Sequence, residues 1–167
     1  MRIVLSQEEF EHQRGYRFTL EIRDAHGGAM VRSTQNWLPP APELIQHCHH
    51  CRGLSHELHR MRSRLRLEKL DDSEAENPIP SDDEVLQQQQ EEHARAIEQR
   101  NNDVNNWLNS ESFRNVKQTI LDRSMEQEDI VILIRTDSEL QILPWAAWDL
   151  TERRPRLEFA RLPLENQ

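Results

Sequence analysis

The chain has 167 residues, a formal net charge of −9, and 35% apolar and 31% charged residues. This length suits a single domain over residues 1–167, and the negative charge argues against nucleic acid or an anionic membrane as a partner. The sequence contains no apolar run of the ~20 residues that a membrane helix needs, no secretory leader and no disulfide framework. We therefore expect a cytoplasmic protein that makes no membrane contact.

Residues 1–38 have the pattern of β-strands. Between Tyr16 and Ile22, apolar and polar residues alternate strictly, which is typical of a half-buried strand. The apolar run Arg2 to Leu5 precedes it, and residues 29–38 can return as another strand after the turn residues 24–28. The segment predicts an antiparallel hairpin or a three-stranded meander.

The middle of the chain has the pattern of long helices. Prolines at 39, 40 and 42 end the strands, and steps of three and four between apolar residues predict a helix over 42–67. Alternating arginines predict that this helix gives way to an extended segment in the sixties. Residues 70–84 are strongly acidic and predict a flexible loop. Periodicity over 84–124 predicts a second long helix and a further helix capped by Ser110, so that the two long helices form an antiparallel hairpin.

Residues 129–162 again predict strands. The most hydrophobic run, Asp129 to Thr136, predicts a buried strand, and Glu139 to Leu143 predicts a second strand ended by Pro144. After the turn LPWAAWD, Arg156 to Leu162 predicts a last strand. The predicted class is α+β, with a small mixed or antiparallel sheet from the N- and C-terminal strands, a long helical hairpin and one further helix.

One cluster has the composition of a metal site. His47, Cys48 and Cys51 combine imidazoles with a Cys-x-x-Cys pair, which are ligands that zinc prefers. Both cysteines, however, lie on the apolar stripe of the predicted helix, where a thiol behaves as a small hydrophobic group, and the chain has no second pair. We predict no metal and no other cofactor, and the alternative is a zinc-responsive regulator that uses the His47–Cys51 cluster.

A Cys/His peptidase needs its histidine and its cysteine close together, commonly at the ends of neighbouring strands. Here His26 lies in a predicted turn, and both cysteines lie on a predicted helix. No nucleophile elbow, phosphate-binding glycine loop or metalloprotease motif is found either. We therefore predict no catalytic residue and no enzymatic activity.

Three stretches in order carry a family resemblance: LPPAPEL at 38–44, WLNSESF at 107–113, and the segment 134–150 that ends in LPWAAWDL. Together they resemble the N-terminal region of cyanobacterial CHAT-domain proteins, some of which also carry a CHASE2 sensor. The resemblance implies a leader domain, with the caspase-like histidine and cysteine beyond it. Ala146 and Ala147 depart from the bulkier pair that these relatives have between the tryptophans.

The resemblance leads to a functional prediction. We expect a non-catalytic regulatory or interaction domain that accompanies a CHAT caspase-like peptidase, in the same polypeptide or in trans. We expect the two indoles of the motif turn to be buried and to hold it on the sheet, and the alternative is an exposed indole that anchors a partner. The residues predicted for packing or for an interface are Trp145, Trp148, Pro144, Trp107 and Asp149. An alternative is a helical-hairpin adaptor that self-associates.

Overall fold

The computed structural model describes residues 1–71, 82–137 and 139–163. It has an α+β fold with a five-stranded mixed sheet and two long helices, which confirms the predicted class. The chain forms two compact units. The first contains Met1–Ile45 and Asn101–Gln167, and the second contains Gln46–Arg100.

The sheet belongs to the first unit. Its strands, in chain order, are β1 (Arg2–Glu11), β2 (Gly15–Arg23), β3 (Ala29–Leu38), β4 (Ile130–Thr136) and β5 (Leu157–Pro163). They lie in the spatial order β3-β2-β1-β4-β5. The three N-terminal strands are antiparallel neighbours, whereas β4 runs parallel to both β1 and β5. The expected sheet of N- and C-terminal strands is therefore present.

One face of this sheet carries the core of the first unit. Alternate side chains of the central strands, among them Ile3, Leu5 and Ile132, are fully buried. A 3-10 turn (Glu111–Phe113), a helix named α3 (Arg114–Arg123) and the segment 140–153 supply further buried side chains. The Phe18 ring lies 5.8 Å from the Phe113 ring and 6.0 Å from the Trp145 ring. This aromatic layer covers the sheet where β2 passes beneath it.

The two long helices are α1 (Pro42–Asp71) and α2 (Asp82–Leu108). Within the second unit they run antiparallel, since Cys51 contacts Ala96, Ser55 contacts His93, and Leu65 and Val85 line one small pocket. The helical hairpin is thus as predicted. Most of the acidic segment predicted as a loop over 70–84 lies outside the described residues, and its ends, at 70–71 and 82–84, are helical.

The prediction of an extended segment among residues 60–67 was wrong. Helix α1 continues through Asp71, and the alternating arginines lie on its exposed side or its margin. Arginine is a good helix former, and its long stem lets the guanidinium reach water from several helical positions. A short alternation of arginines is therefore compatible with a helix.

Two C-terminal details also differ from expectation. Residues 139–143 do not form a strand: Leu140–Ile142 is a 3-10 turn, because the Asp137 carboxylate accepts the Leu140 N–H at 3.1 Å. The side chain of Ser110 does not cap the turn that follows it. Instead its backbone carbonyl accepts the Phe113 N–H at 3.0 Å, and its buried hydroxyl has no hydrogen-bond partner among the described residues.

Candidate functional site

The two tryptophans of the LPWAAWD motif lie in the core. Trp145 is 1% exposed and Trp148 is fully buried. The Trp145 Nε1–H donates to the Leu140 carbonyl at 3.2 Å, and the Trp148 Nε1–H reaches the Asn109 Oδ1 at 3.5 Å. Because both ring faces and both donors are engaged, these indoles hold the motif turn onto the sheet and present no exposed anchor to a partner.

Trp107 joins the three family-like stretches to one another. Its Nε1–H donates to the Pro39 carbonyl at 2.8 Å, and its ring lies 6.2 Å from the Trp145 ring. Pro144 accepts the Ala147 N–H at 2.9 Å through its carbonyl and so opens the 3-10 turn Trp145–Ala147. Segments that are far apart in sequence therefore meet at one place in the first unit.

Asp149 is the centre of a polar network that the sequence did not reveal. Its carboxylate accepts two bonds from the Lys117 Nζ, at 2.7 and 2.8 Å, and one from the Asn109 Nδ2 at 3.2 Å. The Asp149 N–H donates to the Asn105 Oδ1 at 2.9 Å. Asn105 lies on α2 and Asn109 directly follows its last residue, four positions on, and this spacing was the only advance signal that they act together.

The charge state of Asp149 follows from these contacts. Burial would raise the pKa of its carboxyl group, but the hydrogen bonds from Lys117 and Asn109 and the charge of Lys117 outweigh it and lower the pKa below the ordinary value. Asp149 is therefore ionised at neutral pH. The arrangement is an ion pair that joins the motif turn to α2 and α3.

The cysteines of the candidate metal cluster lie in the second unit, buried on α1. Cys48 is 1% exposed and Cys51 is fully buried, and the Cys51 Sγ–H donates to the Ala96 carbonyl at 3.5 Å. Burial raises the pKa of the Cys51 thiol, so the thiolate that would attack a substrate or bind a metal is disfavoured. Within 1–71, 82–137 and 139–163, no three His, Cys, Asp or Glu side chains are grouped so that they could hold a metal ion.

A serine–histidine contact in the same unit was not predicted. The Ser55 Oγ lies 2.6 Å from the His93 Nε2 and also donates to the Cys51 carbonyl at 3.1 Å. When the hydroxyl donates to that carbonyl, the His93 Nε2–H donates to Ser55. The histidine then holds the serine as a hydrogen-bond acceptor, which is the reverse of a base that activates a nucleophile.

His26 lies in the turn between β2 and β3. The Asp24 Oδ1 accepts the backbone N–H of His26 at 2.8 Å and that of Gly28 at 2.9 Å. These bonds, the one from Gly28 first, lower the pKa of the Asp24 carboxyl group. The His26 side chain is exposed, and Gly27 supplies a φ of +87°, so the segment is a tight turn organised by a carboxylate.

The sheet face opposite the core is partly exposed. Val4, Val131 and Leu133 alternate with fully buried neighbours along β1 and β4, and they retain partial exposure. The register places Val4 beside Leu133, and Leu133 beside the partly exposed Ala160 of β5. We call these four side chains the open-face strip.

A groove of about 520 Å³ adjoins the strip. Val131 and Leu133 contribute to its lining together with the turn 24–27 and Arg2. Arg2 is exposed, and among the residues that the structure describes its side chain has no ion pair. Because Arg23, Asp24 and Asp129 also line it, the groove combines two apolar side chains of β4 with charged groups of both signs.

Comparison of the chain with protein-family models and with curated proteins found no match. In the described part of the chain, no helix combines the length and the apolar character that crossing a bilayer requires.

Proposed function

We propose that this chain is a non-catalytic interaction domain that accompanies a CHAT caspase-like peptidase in the cytoplasm, in the same polypeptide or in trans. The open-face strip is the surface that binds the partner protein. The ordered motif set supports the choice of partner by resemblance. One structural observation supports the surface: β4 is apolar on both faces, but the side chains on only one of them are fully buried.

The composition of β4 is unusual for a strand that has one partly exposed face. Ile130 to Ile134 are five consecutive apolar residues, and the strand pairs in parallel on both sides. Parallel strands with continuous apolar runs are normally covered on both faces, whereas strands with one wet face alternate apolar and polar residues. In this chain Val131 and Leu133 stay partly exposed. A second protein that covers them would complete the two-sided burial that the composition indicates.

The tryptophan motif has a supporting role in this proposal. Because Trp107, Trp145 and Trp148 are buried, they stabilise the sheet on its core face and leave the opposite face free for binding. Recognition would then depend on the open-face strip and on the charged groups of both signs that line the groove.

The proposal can be tested by titrating a purified CHAT-type peptidase domain with this chain in a calorimeter. We expect Leu133→Glu to weaken binding by about tenfold or more, because it places a charge in the apolar centre of the surface. The matched control is Met125→Glu, which makes the same charge change at a side chain 79% exposed and outside the strip. Circular dichroism confirms that both variants are folded.

Equal affinities of the folded Leu133→Glu variant and the parent chain would contradict the proposed surface. No binding of the parent chain to the peptidase domain would contradict the proposed partner. Peptidase activity of the chain alone, lost on Cys48→Ala or Cys51→Ala, would contradict its non-catalytic character.

A further inference from the structure

The outer edge of β5 carries a set of unpaired backbone groups. β5 pairs with β4 in a regular parallel register from Leu157 to Pro163, and the Ile130 N–H donates to the Arg156 carbonyl at 3.2 Å. In a parallel ladder alternate residues of a strand bond to the neighbouring strand, each to the two residues that flank its partner, and the residues between them face the other side. Arg156, Glu158, Ala160 and Leu162 therefore direct their backbone groups towards β4. Leu157, Phe159 and Arg161 direct theirs to the outer edge.

Most of these outward groups have no partner among the described residues. The Leu157 N–H is satisfied by the Arg154 carbonyl at 3.0 Å. The Leu157 carbonyl and both backbone groups of Phe159 and of Arg161 make no hydrogen bond to another described residue. Unpaired strand edges are templates for another strand.

The opposite edge of the sheet differs from β5. The pairing of β3 with β2 contains two register shifts, and the Ser112 hydroxyl donates to the Trp37 carbonyl at 2.8 Å. Such irregularities and side-chain bonds obstruct the addition of a strand. Of the two edges, β5 is therefore the regular and open one.

The open groups of β5 are complementary to those of a second β5. If two copies pair antiparallel about Phe159, each Phe159 N–H donates to the Phe159 carbonyl of the other copy. Each Arg161 N–H then donates to the Leu157 carbonyl of the other copy. This register uses four of the five open groups of each chain in four hydrogen bonds, and the Arg161 carbonyl lies opposite the Leu157 N–H, which is already bonded to Arg154.

The side chains are compatible with the same register. The partly exposed Phe159 meets its own copy across the symmetry axis, Glu158 lies opposite Ala160, and Arg161 lies opposite Leu157. No two like charges lie directly opposite each other. Pro155 comes opposite Pro163, and because neither has an N–H, the pairing ends at this point on both sides.

We propose that a second copy of this chain binds along β5, in a two-fold symmetric dimer whose two five-stranded sheets form one continuous sheet. The contact is isologous, since the same edge is used by both copies. It goes beyond the proposed function and does not depend on it. The peptidase partner was assigned to a sheet face, whereas the second copy occupies an edge.

The test is sedimentation equilibrium of the full chain over a range of concentrations, with two variants at one position. The average mass of the parent chain is expected to rise with concentration, from that of the 19.9 kDa monomer towards that of the dimer. Arg161→Pro removes a backbone donor that faces away from β4, so the variant should fold normally. Its dimer dissociation constant should rise by roughly one to two orders of magnitude, because two hydrogen bonds of the dimer are lost. Arg161→Ala keeps the donor and loses the side chain, and it should dimerise like the parent.

Hydrogen exchange of the parent chain gives a second measurement that does not require a variant to fold. At high concentration the Phe159 and Arg161 amides should become protected, whereas the Ala160 amide, bonded to β4, should be protected at every concentration. A parent chain that stays monomeric up to millimolar concentration would overturn the proposal. Undiminished dimerisation of Arg161→Pro, or exchange at these two amides that is independent of concentration, would overturn it as well.

Discussion

At the scale of single residues, the Lys117–Asp149 pair shows how the motif turn is held in place. Asp149 follows the fully buried Trp148, and its side chain is 31% exposed, against 16% for Lys117. A partly buried ion pair is screened less by water than a surface pair, and two further bonds fix its geometry: the Asn109 Nδ2 donates to the Asp149 carboxylate, and the Asp149 N–H donates to the Asn105 Oδ1. The pair therefore contributes to the stability of the fold.

Replacing Asp149 with Asn should remove the part of the stability that depends on ionisation of the Asp149 carboxyl group. The pKa of Asp149 is lower in the folded chain than in the unfolded chain, so its contribution is present above the unfolded-state pKa and is lost as the pH falls through the folded-state pKa. We expect Asp149→Asn to lower the free energy of unfolding by about 1–3 kcal/mol at pH 7, and this difference to shrink below about pH 4. Urea denaturation at pH 7, 5 and 3 measures it.

The control for this prediction is Asp122→Asn. The Asp122 carboxylate accepts one bond from Gln118 at an exposed position on α3, so the substitution should change stability by less than about 0.5 kcal/mol. The same free energy of unfolding for Asp149→Asn and the parent chain at pH 7 would show that the ion pair contributes nothing.

At the scale of secondary-structure elements, substitutions at two glycines separate the cost of a strained backbone from the cost of a steric overlap. Gly15 and Gly27 both have a positive φ, of +96° and +87°; Gly15 begins β2, and Gly27 lies within the turn between β2 and β3. A methyl group at Gly15 would overlap the Leu38 carbonyl oxygen and come within 2.7 Å of backbone atoms of Pro39 and Pro40. A methyl group at Gly27 would meet nothing within 4 Å.

Gly15→Ala should therefore destabilise the chain far more than Gly27→Ala. Both substitutions force an L-residue into the left-handed region, which costs about 1–2 kcal/mol. Only Gly15→Ala must also displace backbone that pairs in the sheet, and we expect its total cost to exceed about 3 kcal/mol. Thermal unfolding of the two variants measures the difference. Equal melting temperatures would contradict the close approach of β2 to the Leu38–Pro40 segment.

Sequence periodicity predicted the long elements well and the short ones poorly. The apolar stripe of α1 and the alternation in β2 extend over several turns or pairs, so burial of one face reinforces the local preference. Residues 139–143 are too few for such a pattern. There the Asp137 carboxylate bonds to the Leu140 N–H and so selects a 3-10 turn. The site residues Lys117, Asn105 and Asn109 escaped prediction because their partners are distant in sequence.

At the scale of the whole molecule, the N-terminal and C-terminal parts of the chain meet in the middle of the sheet. β1 pairs in parallel with β4, and the Gln7 side chain binds Asp137 through two hydrogen bonds, of 2.8 and 3.1 Å, across 130 positions of sequence. Contacts of such long range form late and slowly, because the loop must close before they contribute. The sheet is therefore the part of the fold that depends most on cooperative folding.

Native-state hydrogen exchange should reflect this topology. Amides of Ile3, Leu5 and Ile132 lie in strands that have a neighbour on both sides, and their side chains are fully buried. We expect these amides to exchange only by global unfolding, with an exchange free energy equal to that from urea denaturation. Exchange of the central-strand amides at a markedly lower free energy would mean that the sheet opens locally.

The sequence by itself determined the α+β class, the strands at both ends, the helical hairpin and the placement of both cysteines on an apolar stripe. It could do so because each feature repeats with a fixed period that local burial enforces. Only the tertiary structure decided that the tryptophans are buried, that Asp149 pairs with Lys117, and that the side chains on only one face of β4 are fully buried. It also decided that, within the part of the chain that the structure describes, the outer edge of β5 is regular and has unpaired backbone groups. These properties depend on which distant segments become neighbours, and strand order and side-chain partners leave no period in the sequence.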